Sequence, residues 1–174
     1  MSPWFDRQKV APPESAASVH YVSAATAIDA SPRRVWDFIK PPENSVLLDP
    51  EIVRGFRAPG AEGPGEIQVF ISVRDGVERV TAVEVIEEIP NELAVTRVLG
   101  DADPASRGRT SIRTDDSGST VLSHGHYFTL PAGSEGQFHQ YERHYKSFCR
   151  QYVERVKAFL EQPKRDAAAG VDVM

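Results

Sequence analysis

The chain has 174 residues, 40% of them hydrophobic, and its 20 Lys plus Arg against 25 Asp plus Glu leave a net charge of −5. That length suits one domain with a core of its own, and the acidic balance argues against nucleic acid or an anionic membrane as the main partner. Cys149 is the only cysteine, which excludes an intramolecular disulfide and points to a reducing, cytoplasmic compartment. No apolar run approaches the roughly 20 residues of a membrane span. The N-terminus MSPWFDRQKVAPP has no apolar stretch of the secretory kind.

Residues 1–18, with Pro3, Pro12 and Pro13 and little periodicity, read as a flexible arm. Val19 to Ala30 is rich in β-branched residues and free of breakers, a strand pattern. Ser31-Pro32 supplies an N-cap and an N1 proline for a short helix over Arg33 to Lys40, carrying Val35, Trp36 and Ile39. Pro41-Pro42 breaks it, and a second short helix is expected over Glu43 to Leu48 before Asp49-Pro50.

Six strand-like runs follow, separated by turn signals. They are Ile52 to Arg57, Glu66 to Arg74, Glu78 to Ile89, Leu93 to Leu99, Arg109 to Thr114 and Thr120 to Leu130. Asp75-Gly76 is a strong tight-hairpin dipeptide. Strands joined by short loops argue for an antiparallel sheet rather than βαβ units.

From Ser134 to Leu160 the apolar residues recur with helical period. Phe138, Tyr141, Tyr145, Phe148, Cys149, Tyr152, Val153, Val156, Phe159 and Leu160 share an arc roughly 140° wide. Ser134 and Gln137 match a capping box, and Pro163 ends the pattern. The tail at 163–174 has no apolar face and reads as disordered. The expected fold is α+β. A curved seven-stranded antiparallel sheet wraps the long C-terminal helix, with two short helices after the first strand, all within residues 19–162.

That order of elements resembles the START-like superfamily, also called helix-grip or birch-pollen-allergen-like, and within it the bacterial polyketide cyclase/dehydratase and lipid-transport proteins. The residues carrying the resemblance are Ile28, Ala30, Pro32, Val35 and Trp36 in AIDASPRRVWDFI, and Gly63, Pro64, Gly65 and Ile67 in the turn GAEGPGEIQVF. Neither motif specifies a reaction. The resemblance implies a hydrophobic cavity between sheet and helix, holding an apolar or polyaromatic small molecule. The protein would then be a cofactor-free cyclase, aromatase or dehydratase, or a non-catalytic carrier or sequestering protein for a lipid or toxic metabolite. Metal and cofactor are expected to be absent, and the chain to be a monomer or a homodimer whose arm covers a neighbour's cavity.

On the last strand Leu122, His124, His126, Phe128 and Leu130 form the more apolar alternating set, so they are expected to face inward. Two imidazoles there could serve as general acid and base, with catalysis assigned to His124 and His126; the alternative is a structural hydrogen bond to backbone or to a helix tyrosine. A His-x-His pair also has metal-ligand spacing, but no third ligand converges in the sequence. On the helix, Phe138, Tyr141, Glu142 and Tyr145 are expected to line the ligand site beside Phe128 and Leu122, with the later turns anchoring the fold. Glu142 has either a raised pKa in an aromatic pocket or a helix-start position favoured by the macrodipole. Glu84 and Arg97 fall mid-strand, as polar anchors in the cavity or on the solvated sheet face. Cys149 reads as an inert packed thiol. The glycine-rich loop at residues 60–65 precedes a strand rather than a helix, so its glycines serve a turn rather than a dinucleotide.

Overall fold

A computed structural model describes residues 18–103, 105–130 and 133–162. The expected arm but for Ser18, the whole tail at 163–174 and residues 131–132 before the last helix lie outside these. Seven strands form one antiparallel sheet: β1 (Val19–Ile28), β2 (Ile52–Arg57), β3 (Ile67–Arg74), β4 (Val77–Ile89), β5 (Leu93–Val98), β6 (Arg107–Thr114) and β7 (Thr120–Thr129). Their spatial order is β1-β7-β6-β5-β4-β3-β2, so every neighbour from β2 to β7 is consecutive in sequence and only β1 joins by a long return. Between β1 and β2 lie α1 (Pro32–Ile39), a 3₁₀ turn (Pro42–Asn44) and the one-turn α2 (Ser45–Leu48); α3 (Phe138–Leu160) ends the described chain. This is the α+β helix-grip architecture.

Local chemistry accounts for most of the boundaries. Ser31 caps α1, its Oγ accepting from the Arg34 amide at 3.3 Å, and Pro32 occupies the first turn. Asp75 and Gly76 have φ of 53° and 75°, the left-handed pair that a tight hairpin between β3 and β4 requires. The start of α3 departs from the sequence pattern. The capping box does not form; a 3₁₀ turn (Glu135–Gln137) leads in instead, with the Gln137 amide donating to the Ser134 carbonyl at 2.8 Å. A backbone bond thus does the work assigned to the side chains.

Helix α3 packs chiefly on β1 and β7, while α2 and the 3₁₀ turn pack on β2. One core cluster joins Ile28, Val35, Phe38, Leu122, Val153 and Val156, among others, at the α1 end. A second joins Val22, Phe128 and Leu130 to Phe138, Tyr141 and Tyr145 at the start of α3. Between the two, where β3 to β6 curl away from α3, the interior is not filled. Among the described residues no helix is long and apolar enough to cross a membrane.

Candidate functional site

The unfilled space is a cavity of about 510 Å³, mostly apolar and partly open to solvent. Strand alternation decides its walls. Ala94, Thr96 and Val98 of β5, Gly108 and Thr110 of β6, and His124 and His126 of β7 all point into it. Opposite them, α3 contributes Phe148, Gln151, Tyr152 and Arg155, and α1 contributes Trp36 and Ile39.

Both histidines are held by hydroxyls, one from β6 and one from the residue just before it. Thr110 Oγ1 lies 2.9 Å from His124 Nδ1, and Ser106 Oγ lies 3.3 Å from His126 Nε2. His124 Nε2 and His126 Nδ1 have no hydrogen-bond partner among the described residues. The His124 ring is 4.4 Å from Tyr152 and 5.9 Å from Phe148, and His126 stacks on Tyr145 at 4.6 Å. Burial strips water from His124 and, with the nearby charge of His126, lowers its pKa from 6.5 to about 4. Burial lowers His126 as well, against the opposing pull of the Asp101 and Asp103 carboxylates. Both rings are therefore neutral at pH 7 and available as proton acceptors. Burial pushes the Tyr152 hydroxyl up, keeping it a protonated donor, and pushes the Cys149 thiol up to about 11, leaving it inert.

Of the residues expected from the sequence, His124 and His126 lie on the cavity wall and the other eight do not. Phe138, Tyr141 and Tyr145 pack with Phe128 in the second core cluster; Tyr145 stacks on Phe128 at 4.7 Å. Leu122 is fully buried in the first cluster. Glu142 faces outward beside His139, 3.4 Å away. Glu84 and Arg97 form a cross-strand ion pair at 2.6 Å on the outer sheet face, because their neighbours Val83, Val85, Thr96 and Val98 take the inner one. The division of α3 thus differs from the expected one, although Val153, Val156 and Leu160 of its later turns lie in the first core cluster. Its first turns are core, and the turns from Phe148 to Arg155 meet the cavity.

A polar cluster at one end of the cavity escaped the sequence reading. Glu66, with no side-chain exposure, accepts from Lys40 Nζ at 3.1 Å, Gln68 Nε2 at 2.7 Å and the Gly63 amide at 3.2 Å, and lies 3.4 Å from Arg57 Nε. Burial alone would raise its pKa, but these donors and the Lys40 charge hold it below the ordinary carboxylate value. Lys40 also pairs with Glu88; Lys40, Glu88 and Gln68 line the cavity. The lone local signal was a glutamate directly after a glycine-rich turn. No group of three or more metal-ligating side chains occurs among the described residues.

No family model matches the chain, and no curated protein matches it in sequence. Solved structures match the fold. The di-domain ARO/CYC BexL from the BE-7585A biosynthetic pathway superposes with a TM-score of 0.67 at 16% identity, over 83% of this chain and 51% of that one. The Zhui aromatase/cyclase from Streptomyces sp. R1128 gives 0.64 at 17% identity, over 88% and 100%. A START superfamily protein from Mycobacterium smegmatis gives 0.64 at 16% identity, over 82% and 98%. With the sheet order, the long helix and the cavity between them, these likenesses show that the chain has the helix-grip fold of the START-like proteins.

Proposed function

We propose that the protein binds a mainly apolar small molecule carrying a few oxygens in this cavity, and acts on it in the manner of a polyketide cyclase/dehydratase. The observation that carries this reading is the pair of neutral imidazoles on the wall of a mainly apolar cavity, each oriented by a hydroxyl, Thr110 of β6 for His124 and Ser106 just before β6 for His126. The likeness to two aromatase/cyclase structures is consistent with it. In such a reaction His126, the more polar of the two sites, takes a proton from a carbon flanked by carbonyls. The resulting carbanion attacks a second carbonyl of the same chain, and the imidazolium returns the proton to the new alkoxide. Loss of water then gives the unsaturated ring. Tyr152, beside His124, is the tyrosine placed to polarise a carbonyl. The apolar walls hold the chain folded, so proximity supplies much of the rate.

A carrier reading is favoured by one observation: a histidine with a pKa of about 4 is a weak base at pH 7. Mass spectrometry of the organic extract of the purified protein separates the two. An oxygenated polycycle supports the first reading, and a fatty acid or phospholipid the second. Replacing both histidines by alanine should then abolish turnover of the identified substrate while leaving its affinity within about tenfold. Turnover that survives in the double variant would sink the histidine mechanism.

A further inference from the structure

One irregularity decides the character of the cavity's polar end. Along β4, Val83 and Val85 face inward, and strict alternation would place Glu87 inward next. The register with β5 slips between Val85 and Glu87, so that Val85 pairs with Thr96, Glu87 with Val95 and Glu88 with Ala94. Thr96 and Ala94 are both cavity residues. The bulge therefore turns Glu88 into the cavity and Glu87 out of it. There Glu88 meets Lys40, the C-cap residue of α1.

The hydrogen-bonding capacity of this group is only partly used. Glu66 takes two donors on Oε2 and one on Oε1, with Arg57 alongside. Lys40 has three N–H donors and spends one on Glu66 and one on Glu88. Glu88 receives Lys40 on Oε2, and its Oε1 has no donor among the described residues. One cationic donor and one carboxylate acceptor thus remain side by side on the wall. Their charges cancel: Lys40 and Arg57 balance Glu66 and Glu88, and Glu62, which also pairs with Arg57, is mostly exposed.

We propose that this end of the cavity is a subsite for a neutral oxygenated group, a carbonyl with a neighbouring hydroxyl, and that it selects against ligands ending in a carboxylate or phosphate. The carbonyl takes the third Lys40 N–H, and the hydroxyl donates to Glu88 Oε1. An anionic end would have to shed its hydration beside two carboxylates whose lysine is already shared, a cost that nothing here offsets. This subsite rests on the cavity being the ligand site.

The test titrates the protein with three probes, following quenching of Trp36, which lines the cavity. They are 1,8-dihydroxyanthraquinone, anthraquinone-2-carboxylate and the uncharged, carbonyl-free N-phenyl-1-naphthylamine. The expected result is binding of the dihydroxyanthraquinone at least about tenfold tighter than the carboxylate, with the ratio collapsing in Glu88→Gln, where the Lys40 charge is no longer cancelled. Equal affinity for the two anthraquinones in the unaltered protein, or a ratio unchanged in Glu88→Gln, overturns the subsite. If the naphthylamine still binds, the cavity reading survives that failure; if none of the three binds, both fall. The ratio in the unaltered protein decides the matter even if Glu88→Gln does not fold.

Discussion

His124 shows how strongly the cavity wall acts on a single residue. A solvated histidine takes its proton near pH 6.5, and this one near 4, chiefly because burial penalises the cation. Between those values the unfolded chain binds a proton that the folded chain refuses. This contribution to stability is therefore intact above pH 6.5, shrinks as the pH falls, and is gone by about pH 4. At about 1.4 kcal/mol per unit the full amount is about 3 kcal/mol. Urea unfolding at pH 7 and pH 4.5 measures it. The unaltered protein should lose about 2 kcal/mol more than His124→Gln over that interval. Equal losses would mean that the imidazole is hydrated in the fold. The same burial that makes His124 a weak base thus makes it an acid-sensitive point of the structure.

Among the elements, β2 passes directly beneath the 3₁₀ turn. A Cβ at Gly55 would fall far inside contact distance of the Pro42 carbonyl oxygen, a backbone atom that cannot swing aside. Gly55→Ala should cost about 2–4 kcal/mol in chemical unfolding, since either β2 or the turn closing the cavity must move. Gly125→Ala is the control. A Cβ there meets first the ring end of Tyr21, a half-exposed side chain on Tyr127 rather than a backbone atom, and should cost less than about 1 kcal/mol. A loss at Gly55 as small as at Gly125 would show that the turn is not pressed on the strand. The elements themselves were legible in the sequence because their signals are local: Ser31-Pro32 for a helix start, Asp75-Gly76 for a hairpin, a period of 3.6 for α3. The bulge in β4 was not legible, because it is set by pairing with β5. Without it, the inward turn of Glu88 cannot be read from alternation. His124 and His126 were found because β7 runs without a register slip along its pairings with both β1 and β6.

At the scale of the whole molecule, the core is built in two pieces with a hollow level between them. Along β7 the order is Leu122 in one cluster, His124 and His126 on the cavity, and Phe128 in the other cluster. Along α3 it is Tyr145, then Phe148 and Tyr152, then Val153 and Val156. The helical period reveals the apolar arc but not this partition, which depends on where the sheet bends away from the helix. Because the levels are separate, stability and binding should map to different residues of one continuous apolar stripe. Leu122→Ala and Val153→Ala remove fully buried side chains from a filled level and should each cost about 2–4 kcal/mol. Phe148 is 50% exposed at the hollow level. Phe148→Ala should cost less than about 1 kcal/mol in unfolding, yet weaken N-phenyl-1-naphthylamine binding about tenfold by removing an aromatic wall. Thermal and urea unfolding with and without the probe give both quantities for each variant. If Phe148→Ala destabilises the empty protein as much as Leu122→Ala does, the middle level is packed rather than hollow, and the site must be sought elsewhere.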